Sequence, residues 1–223
     1  MSNIPQQNPA EFSLQASVSA IERQNGLVVG VVGGIASGKS EIAKILKEYG
    51  AVVFSADNVG HRLLNRSDIR LKIVEIFGEG CLDSEGLIDR KYLAKCFFSG
   101  PSDQLSRLEA ILHPVIRAEA IQAIDDFRSH RNHSLLVLDA PLLLEAGWHT
   151  LCDKIIFIDT PIEIRLANVR SRRWEDRELI AREKTQLPLE AKRAYASDIL
   201  DNSGSLTDLR DKLLGLPWLA KLL

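Results

Sequence analysis

A segment of eight residues has the composition of a phosphate-binding loop. It reads Gly-Gly-Ile-Ala-Ser-Gly-Lys-Ser from Gly33 to Ser40 and fits the P-loop pattern G-x-x-x-x-G-K-[ST]. Its backbone N–H groups can turn toward an anion, Lys39 can reach the β- and γ-phosphates of a nucleotide, and the Ser40 hydroxyl can hold Mg²⁺. The pattern therefore predicts a nucleotide with β- and γ-phosphates, together with Mg²⁺. The residues expected to bind them are Gly33, Gly34, Ile35, Ala36, Ser37, Gly38, Lys39, Ser40 and Glu41.

The sequence on both sides of this loop is what such a motif requires. Residues 27–32 form a short apolar, β-branched run that is typical of a buried parallel strand. Residues 41–49 carry apolar side chains at helical spacing, so the loop lies between a strand and a helix. The alternative is an ordinary glycine-rich turn followed by a chance Lys-Ser pair, and these flanks disfavour it.

Four further short apolar runs predict the rest of a parallel sheet. They cover residues 51–54, 135–138, 154–158 and 197–200, and helical patterns separate them. The predicted fold is an α/β P-loop NTPase fold with a doubly wound, parallel, five-stranded sheet. An aspartate follows each run, at the carboxyl edge where ligands bind in such sheets. These aspartates are Asp57, Asp139, Asp159 and Asp201.

Two of these aspartates are candidates for chemistry. Asp57 can orient and deprotonate an attacking hydroxyl group, and Asp139 can contact Mg²⁺ through water. An aspartate after a strand is often only a turn residue or a helix N-cap, and a cap for the helix near Val59 is the alternative for Asp57. Phosphoryl transfer needs alignment and charge compensation, which Lys39 and Asp57 could supply as catalytic residues, so both roles of Asp57 stay open at this point.

The stretch between the second and third predicted strands is far longer than one crossover needs. It is mostly helical by pattern and predicts an inserted helical substrate domain at residues 59–133, over the carboxyl edge of the sheet. Pro114 is expected to end or kink the longest of these helices midway. His113 can contact the substrate or can fix that kink, and the sequence favours neither role.

Residues 162–196 are dense in arginine and are interleaved with acidic residues. Solvated helices with ion pairs between successive turns explain most of these charges. The run that contains Arg170, Arg172 and Arg173 is denser than helix pairing requires, and guanidinium groups match phosphate oxygens. It predicts an arginine-rich lid over the transferring phosphate, with Arg170 and Arg172 as catalytic residues.

Composition argues against several other classes of protein. The chain has 223 residues and a formal net charge of −2, which disfavours nucleic acid as a partner. No stretch approaches the roughly 18 apolar residues of a membrane span. Three separated cysteines without a C-x-x-C pair favour a reducing cytoplasm. Residues 1–25 lack the apolar core of a secretion signal and predict a flexible N-terminal extension, and we expect a monomer.

Several motifs in order resemble the dephospho-coenzyme A kinase family, from about residue 27 to residue 215. They are Gly33–Ser40, Ser55-Ala-Asp57, Leu108-Glu-x-x-x-His113-Pro114, Asp139-Ala-Pro-Leu-Leu-Leu-Glu145-Ala-Gly147, Gln186 and Asp201-Asn202-Ser203-Gly204. The resemblance implies ATP-dependent phosphorylation of the ribose 3′-hydroxyl of dephospho-CoA, the last step of coenzyme A synthesis. Ser55 stands where many members have a second Asp, and Glu41 stands where Thr is usual. Neither departure removes a group that the mechanism requires.

The same resemblance divides residues 26–223 into three parts. It implies a nucleotide-binding core at about 26–58, 134–161 and 197–223, a coenzyme-A-side insertion and a lid. The catalytic carboxylate would be Asp57, and an arginine in the lid run would clamp phosphate. The residues expected at dephospho-CoA are Asp57, His113, Pro141, Leu142 and Glu145, and the further residue expected at ATP is Asn202.

Two other functions are compatible with a P-loop. A GTPase-like switch needs an N-K-x-D motif, which the sequence lacks, and its D-x-x-G at Asp83–Gly86 follows no predicted strand. A kinase of another small molecule, such as a nucleoside monophosphate, would share the fold. Only the His113-Pro114 pair and the segment from Asp139 to Gly147 favour dephospho-CoA over that alternative.

Overall fold

Strands and helices alternate along the chain in a computed structural model that describes residues 26–99, 103–130, 132–172 and 174–222. The predicted N-terminal extension at 1–25 and Arg173 lie outside the described residues. The strands are β1 Leu27–Gly33, β2 Val52–Ser55, β3 Leu135–Asp139, β4 Lys154–Asp159 and β5 Asp198–Asp201. The α-helices of the described residues are α1 Lys39–Glu48, α2 Ala56–Leu64, α3 Ser67–Phe77, α4 Arg90–Ser99, α5 Asp103–His130, α6 Ile162–Ser171, α7 Asp176–Glu183, α8 Leu189–Ala194 and α9 Leu206–Leu214.

The five strands form one parallel sheet in the order β2-β3-β1-β4-β5. The P-loop therefore leaves the carboxyl end of the central strand, with β3 on one side and β4 on the other. The last residue of β2, Ser55, pairs in register with Asp139 at the end of β3. Each strand end lies within one residue of its predicted position, and the predicted α/β fold with a doubly wound parallel sheet is confirmed.

Each face of the sheet has its own apolar core. Successive side chains of a strand point to opposite faces, so β1 contributes Val28 and Val32 to one core and Val29 and Val31 to the other. Helices α2 and α5 cover the first face, while α1 and α9 cover the second. Both faces are thus buried, which accounts for the nearly continuous apolar runs that marked the strands in the sequence.

The helices between β2 and β3 have a further apolar cluster of their own. It includes Ile69 and Ile73 of α3, Leu93 of α4 and Leu108 of α5. Helix α5 is 28 residues long, and its C-terminal half packs on the sheet while its N-terminal half belongs to this cluster. It therefore holds the inserted helices against the sheet on the side where β2 ends.

Helix α5 continues through Pro114, so of the two predicted outcomes an end of the helix is wrong and a kink stays a prediction. Proline removes one backbone hydrogen bond and crowds the preceding turn, which together cost about 3 kcal/mol in a helix interior. Leu112, Val115 and Ile116 flank the proline, and all three pack into the apolar clusters. Their packing against the core favours the continuous helix over a break at this point.

Candidate active site

The P-loop adopts backbone conformations that explain its glycines. Gly38 has φ 99°, a region that side chains disfavour, and it precedes the first turn of α1. At Gly33 a Cβ atom would lie 2.9 Å from the carbonyl oxygen of Ile158 on β4. Ala36 has φ 59°, a left-handed conformation that is uncommon without glycine. The loop therefore has a defined backbone shape that leads directly into the first turn of α1.

Three polar side chains from the second half of the chain hold this shape. Thr160 Oγ1 and Asn202 Nδ2 both donate to the carbonyl oxygen of Ser37, at 2.8 Å and 3.0 Å. Asn168 Nδ2 donates to the carbonyl oxygen of Ala36 at 3.0 Å. Asn202, which was predicted at the nucleotide, thus contacts the P-loop backbone. Sequence analysis missed Thr160 and Asn168, although Thr160 directly follows a strand at the carboxyl edge.

The ammonium group of Lys39 lies inside the site rather than in solvent. Its Nζ donates to the carbonyl oxygens of Gly34 at 2.7 Å and of Gly33 at 3.3 Å. Burial and then the charge of Lys192 lower the pKa of Lys39 to about 8, against the raising effect of Asp139. A phosphate group beside Lys39 would supply the negative charge that this position lacks.

Asp139 and Ser40 meet at the junction of β3 and the P-loop. Burial and then the charge of Asp57 raise the pKa of Asp139, while the charge of Lys39 and the nearby Ser40 hydroxyl oppose that shift. The two carboxylates, the lysine and the serine are therefore close enough to interact. The assignment of Ser40 and Asp139 to Mg²⁺ stays a prediction.

No group of three or more His, Cys, Asp or Glu side chains suited to a metal occurs in the described residues. Mg²⁺ commonly binds through one or two protein ligands together with water and substrate phosphates. A hydroxyl group next to one carboxylate supplies the one or two protein ligands of such a Mg²⁺ site. These two groups are too few for a site made of protein ligands alone.

Asp57 lies in the first turn of α2, and its competing role as a helix cap is contradicted. Ser55 is the N-cap of α2, because its side chain accepts a hydrogen bond from the backbone N–H of Asn58 at 3.4 Å. The Asp57 side chain is exposed and takes part in no hydrogen bond or ion pair with another described residue. It lines a cavity of about 280 Å³ together with His113. The structure thus brings these two predicted substrate residues together.

The remaining strand-end aspartates are engaged elsewhere. Asp159 forms an ion pair with Arg193. Asp201 pairs with Lys212 at 2.5 Å, and this hydrogen-bonded partner lowers the pKa of Asp201. Both are accounted for as structural ion pairs, in line with the expectation that not every strand-end aspartate has a chemical role.

The first two lid arginines differ in their contacts. Arg170 holds Asp176 with two parallel hydrogen bonds, Nε to Oδ1 at 2.9 Å and Nη2 to Oδ2 at 2.5 Å. This pairing lowers the pKa of Asp176. Arg172 is exposed and has no ion-pair partner among the described residues. The interpretation as a solvated ion-paired helix therefore describes Arg170, while Arg172 is free to bind an anion.

The arginine-rich segment after β4 is joined to the P-loop by a buried ion pair. Arg165 of α6 is buried and pairs with Glu183 of α7, whose Oε1 also accepts from the backbone N–H of Ile35 at 3.2 Å. At Gly34 a Cβ atom would meet Arg165 Nη1 at 2.5 Å, so a larger residue here would displace the guanidinium group that pairs with Glu183. An apolar cluster of Ala36 with residues of α6 and α7 adds to the contact. Sequence analysis listed these charges only as part of a solvated surface.

A second buried ion pair joins the segment after β3 to the end of the lid. Glu145 Oε1 accepts from Lys192 Nζ at 3.0 Å and from the backbone N–H of Leu187 at 2.9 Å. Lys192 also donates to Gln186 Oε1 at 2.8 Å. The side chains of Lys192 and Glu145 are only 3% and 18% exposed. Glu145, which was predicted at the substrate, thus connects two segments of the chain.

Pro141 and Leu142 are exposed and half-buried, respectively, on the same segment after β3. Neither they nor Glu145 line the cavity that contains Asp57 and His113. Their predicted contacts with dephospho-CoA stay predictions.

Replacing Glu145 with Leu is expected to lower the free energy of unfolding by about 3–5 kcal/mol, because Lys192 is left as an uncompensated buried charge. The measurement is urea-induced unfolding followed by circular dichroism. The double variant Glu145→Leu/Lys192→Met is the control, and it should recover part of the loss since it leaves no charge unpaired. Equal losses in the single and double variants would contradict the prediction.

The parallel sheet, the P-loop after its central strand and the carboxylate beside the loop serine define the class of P-loop kinases. A family model described as dephospho-CoA kinase matches residues 27–208. The chain belongs to the dephospho-CoA kinase family, and the family resemblance found in the sequence is confirmed. It is therefore an ATP-dependent phosphotransferase.

Relatives with this name match most of the chain. The dephospho-CoA kinase of Bacillus licheniformis is 37% identical over 189 residues, which are 84% of this chain and 93% of the relative. That of Dehalococcoides mccartyi is 34% identical over 184 residues, which are 82% and 92% of the two chains.

Solved structures agree with this family. A crystal structure from Thermus thermophilus has a TM-score of 0.71 at 32% identity and covers 89% of this chain and 99% of its own. The dephospho-CoA kinase of Campylobacter jejuni has a TM-score of 0.61 at 26% identity, with 85% and 94% covered. A shikimate kinase from Acinetobacter baumannii, with a TM-score of 0.50 at 16% identity and 92% and 99% covered, is similar in fold alone. No helix in the described parts of the chain has the length and apolar character needed to cross a membrane.

Proposed function

We propose that this protein transfers the γ-phosphoryl group of ATP to the ribose 3′-hydroxyl of dephospho-CoA, giving coenzyme A and ADP. The observation that carries the proposal is the meeting of the P-loop residues Lys39 and Ser40 with Asp139 and Asp57. These four residues lie at one edge of the sheet and are close enough to shift the pKa of Asp139. A phosphate donor held by the loop and an acceptor held by the adjoining cavity would meet there.

Each residue of this set has a distinct role in the proposed reaction. The P-loop N–H groups and Lys39 hold the β- and γ-phosphates and compensate their charge. Ser40 and Asp139 hold Mg²⁺, which neutralises charge on the phosphate oxygens when it is bound. Asp57 accepts the proton of the attacking hydroxyl group, and its carboxylate has no competing described partner.

The lid and the post-β3 segment complete the proposed enzyme. Arg172 binds the transferring phosphate, and Arg170 is released to the same task when its pairing with Asp176 opens. His113 contacts the acceptor from the wall of the cavity. We propose the division of the chain into core, insertion and lid with the bounds given above. A monomeric state in the cytoplasm, without a nucleic acid partner, is part of the same proposal and rests on composition.

A panel of acceptors assayed with ATP and Mg²⁺ tests this function. Dephospho-CoA is expected to be phosphorylated with a kcat/KM far above those of AMP, UMP and shikimate, and the product should be coenzyme A by mass and by retention time. Preferred phosphorylation of a nucleoside monophosphate would contradict dephospho-CoA as the acceptor. The protein would then be a P-loop kinase of another substrate. Nucleotide binding without any phosphoryl transfer would favour a switch instead.

Arg172→Met is expected to lower kcat roughly tenfold to a hundredfold, because a charge-assisted contact to the transferring phosphate is lost. The measurement is the initial rate at saturating ATP and dephospho-CoA. Arg177→Met is the matched control, since Arg177 is an exposed lid arginine that pairs with Glu175. Equal losses in the two variants would show a general effect of lid charge and would contradict the specific role of Arg172.

A further inference from the structure

The cavity beside Asp57 lies between α2, α4 and α5 and has a volume of about 280 Å³. Leu93, Leu108 and Leu112 form part of its apolar wall. Its polar and charged lining residues are Asp57, His61, Arg90, Glu109 and His113. A molecule in this cavity therefore meets an apolar surface together with separate carboxylate and guanidinium groups.

Arg90 is distinguished by its charge and by the lack of a carboxylate partner. Among the described residues that line the cavity, it alone is permanently cationic. No ion pair joins its guanidinium group to a carboxylate in the described parts of the chain. Nearby arginines are paired, Arg62 with Glu119 and Arg66 with Asp68. The positive charge of Arg90 is therefore available to an anionic ligand in the cavity.

His61 orients this guanidinium group without neutralising it. Arg90 Nη2 and His61 Nε2 are 2.9 Å apart. A guanidinium group can only donate hydrogen bonds, so His61 Nε2 is the acceptor in this contact. The other N–H groups of the guanidinium fork stay available to an anion, for which two parallel hydrogen bonds are the favoured geometry.

Arg90 also supplies the fixed positive charge among the described lining residues of the cavity, against two carboxylates. Asp57 and Glu109 are both carboxylates, so the lining without Arg90 would carry only fixed negative charge. Such a lining would repel an anionic acceptor. Dephospho-CoA is anionic close to its reacting atom, because the ribose that carries the 3′-hydroxyl also carries a diphosphate on its 5′ carbon.

We propose that Arg90, held in place by His61, binds the diphosphate of dephospho-CoA while Asp57 takes the 3′-hydroxyl of the same ribose. This assignment rests on the proposed function. It makes Arg90 a specificity-determining residue that selects acceptors with a diphosphate beside the reacting ribose. The P-loop and Lys39 serve the phosphates of ATP, so the two sets of phosphates are bound by different residues.

The test compares Arg90→Met with Arg117→Met, which removes an exposed arginine of α5 that does not line the cavity. In Arg90→Met the KM for dephospho-CoA is expected to rise roughly tenfold to a hundredfold, the loss expected for a charged hydrogen-bonded contact. The KM for ATP and the kcat at saturation should change less than about twofold. The melting temperature should change by a few degrees only. Arg117→Met should resemble the wild type, and Arg90→Lys should lie between the wild type and Arg90→Met.

A binding measurement separates an electrostatic contact from a structural role. Calorimetric titration with dephospho-CoA in the absence of ATP gives its dissociation constant at low and at high NaCl concentration. Salt screens a contact between charges, so the wild-type affinity should fall as NaCl rises, and the fall should be smaller in Arg90→Met. A residue that only supports the fold would leave this salt dependence unchanged.

Several outcomes would overturn the assignment. An unchanged KM for dephospho-CoA in Arg90→Met would show that Arg90 does not bind the acceptor. A rise confined to the KM for ATP would show that Arg90 belongs to the ATP site instead. A lower melting temperature with equal losses for both substrates would make Arg90 structural. A wild-type protein that ignores dephospho-CoA would instead refute the proposed function, and that result is distinct from each of these.

Discussion

Asp57→Asn is expected to lower the kcat for dephospho-CoA roughly a hundredfold to ten-thousandfold, the range typical of a lost general base. Asparagine has the size and shape of aspartate but cannot accept the proton of the attacking hydroxyl group. ATP affinity should be nearly unchanged because the P-loop contacts do not involve Asp57. The measurement is kcat at saturating substrates, alongside nucleotide binding and a thermal melt.

The structure also supplies a control for this substitution. Ser55 caps α2, so Ser55→Ala should lower the free energy of unfolding by about 0.5–2 kcal/mol, whereas Asp57→Asn should leave it nearly unchanged. Comparing these two variants separates the loss of a helix cap from the loss of a catalytic group, although the two positions are only two residues apart. An unchanged kcat in Asp57→Asn would remove Asp57 from the reaction.

Lys39→Met is expected to lower kcat roughly a hundredfold to a thousandfold, because a preorganised positive charge on the transferring phosphate is lost. Methionine keeps the apolar stem of the side chain and so limits the disturbance of the loop. The substitution also removes the hydrogen bonds to the carbonyl oxygens of Gly33 and Gly34. The measurement is the initial rate at saturating ATP, with circular dichroism to check the fold.

Lys47→Met is the matched control for Lys39→Met. Lys47 lies on the same helix, α1, and is exposed to solvent. Its replacement should leave kcat near the wild-type value. Near-normal turnover in a folded Lys39→Met protein would remove the P-loop lysine from the mechanism.

The parts that sequence analysis predicted are those governed by local patterns. The strand before Gly33 and the helix after Lys39 follow from apolar spacing, and the position of Asp139 beside the loop follows from the geometry of parallel strands. Pro114 shows the limit of local rules, because packing on both sides of it outweighed the backbone preference. The sequence left a capping role open for Asp57, since Ser55 and Asp57 have similar capping preferences, and the structure gives that role to Ser55.

The parts that were missed depend on contacts between distant segments. The buried pair of Arg165 and Glu183 lies within a run of alternating charges that has the composition of a solvated helix surface. Nothing in that local pattern distinguishes a buried arginine from an exposed one such as Arg172. The same holds for Arg90, whose neighbour His61 lies 29 residues earlier on a different helix.

The hydrogen bonds that shape the P-loop have a consequence for the order of folding. Thr160, Asn168, Glu183 and Asn202 contact the loop from positions 123, 132, 148 and 165 residues away from their partners. Contacts of such long sequence separation form late, because the entropy of closing a long loop opposes them until much of the chain is ordered. During synthesis the complete glycine motif thus leaves the ribosome early but acquires its full set of supporting contacts only after β5 has joined the sheet. A nascent chain that carries the motif therefore still lacks the side chains that hold the loop in this shape.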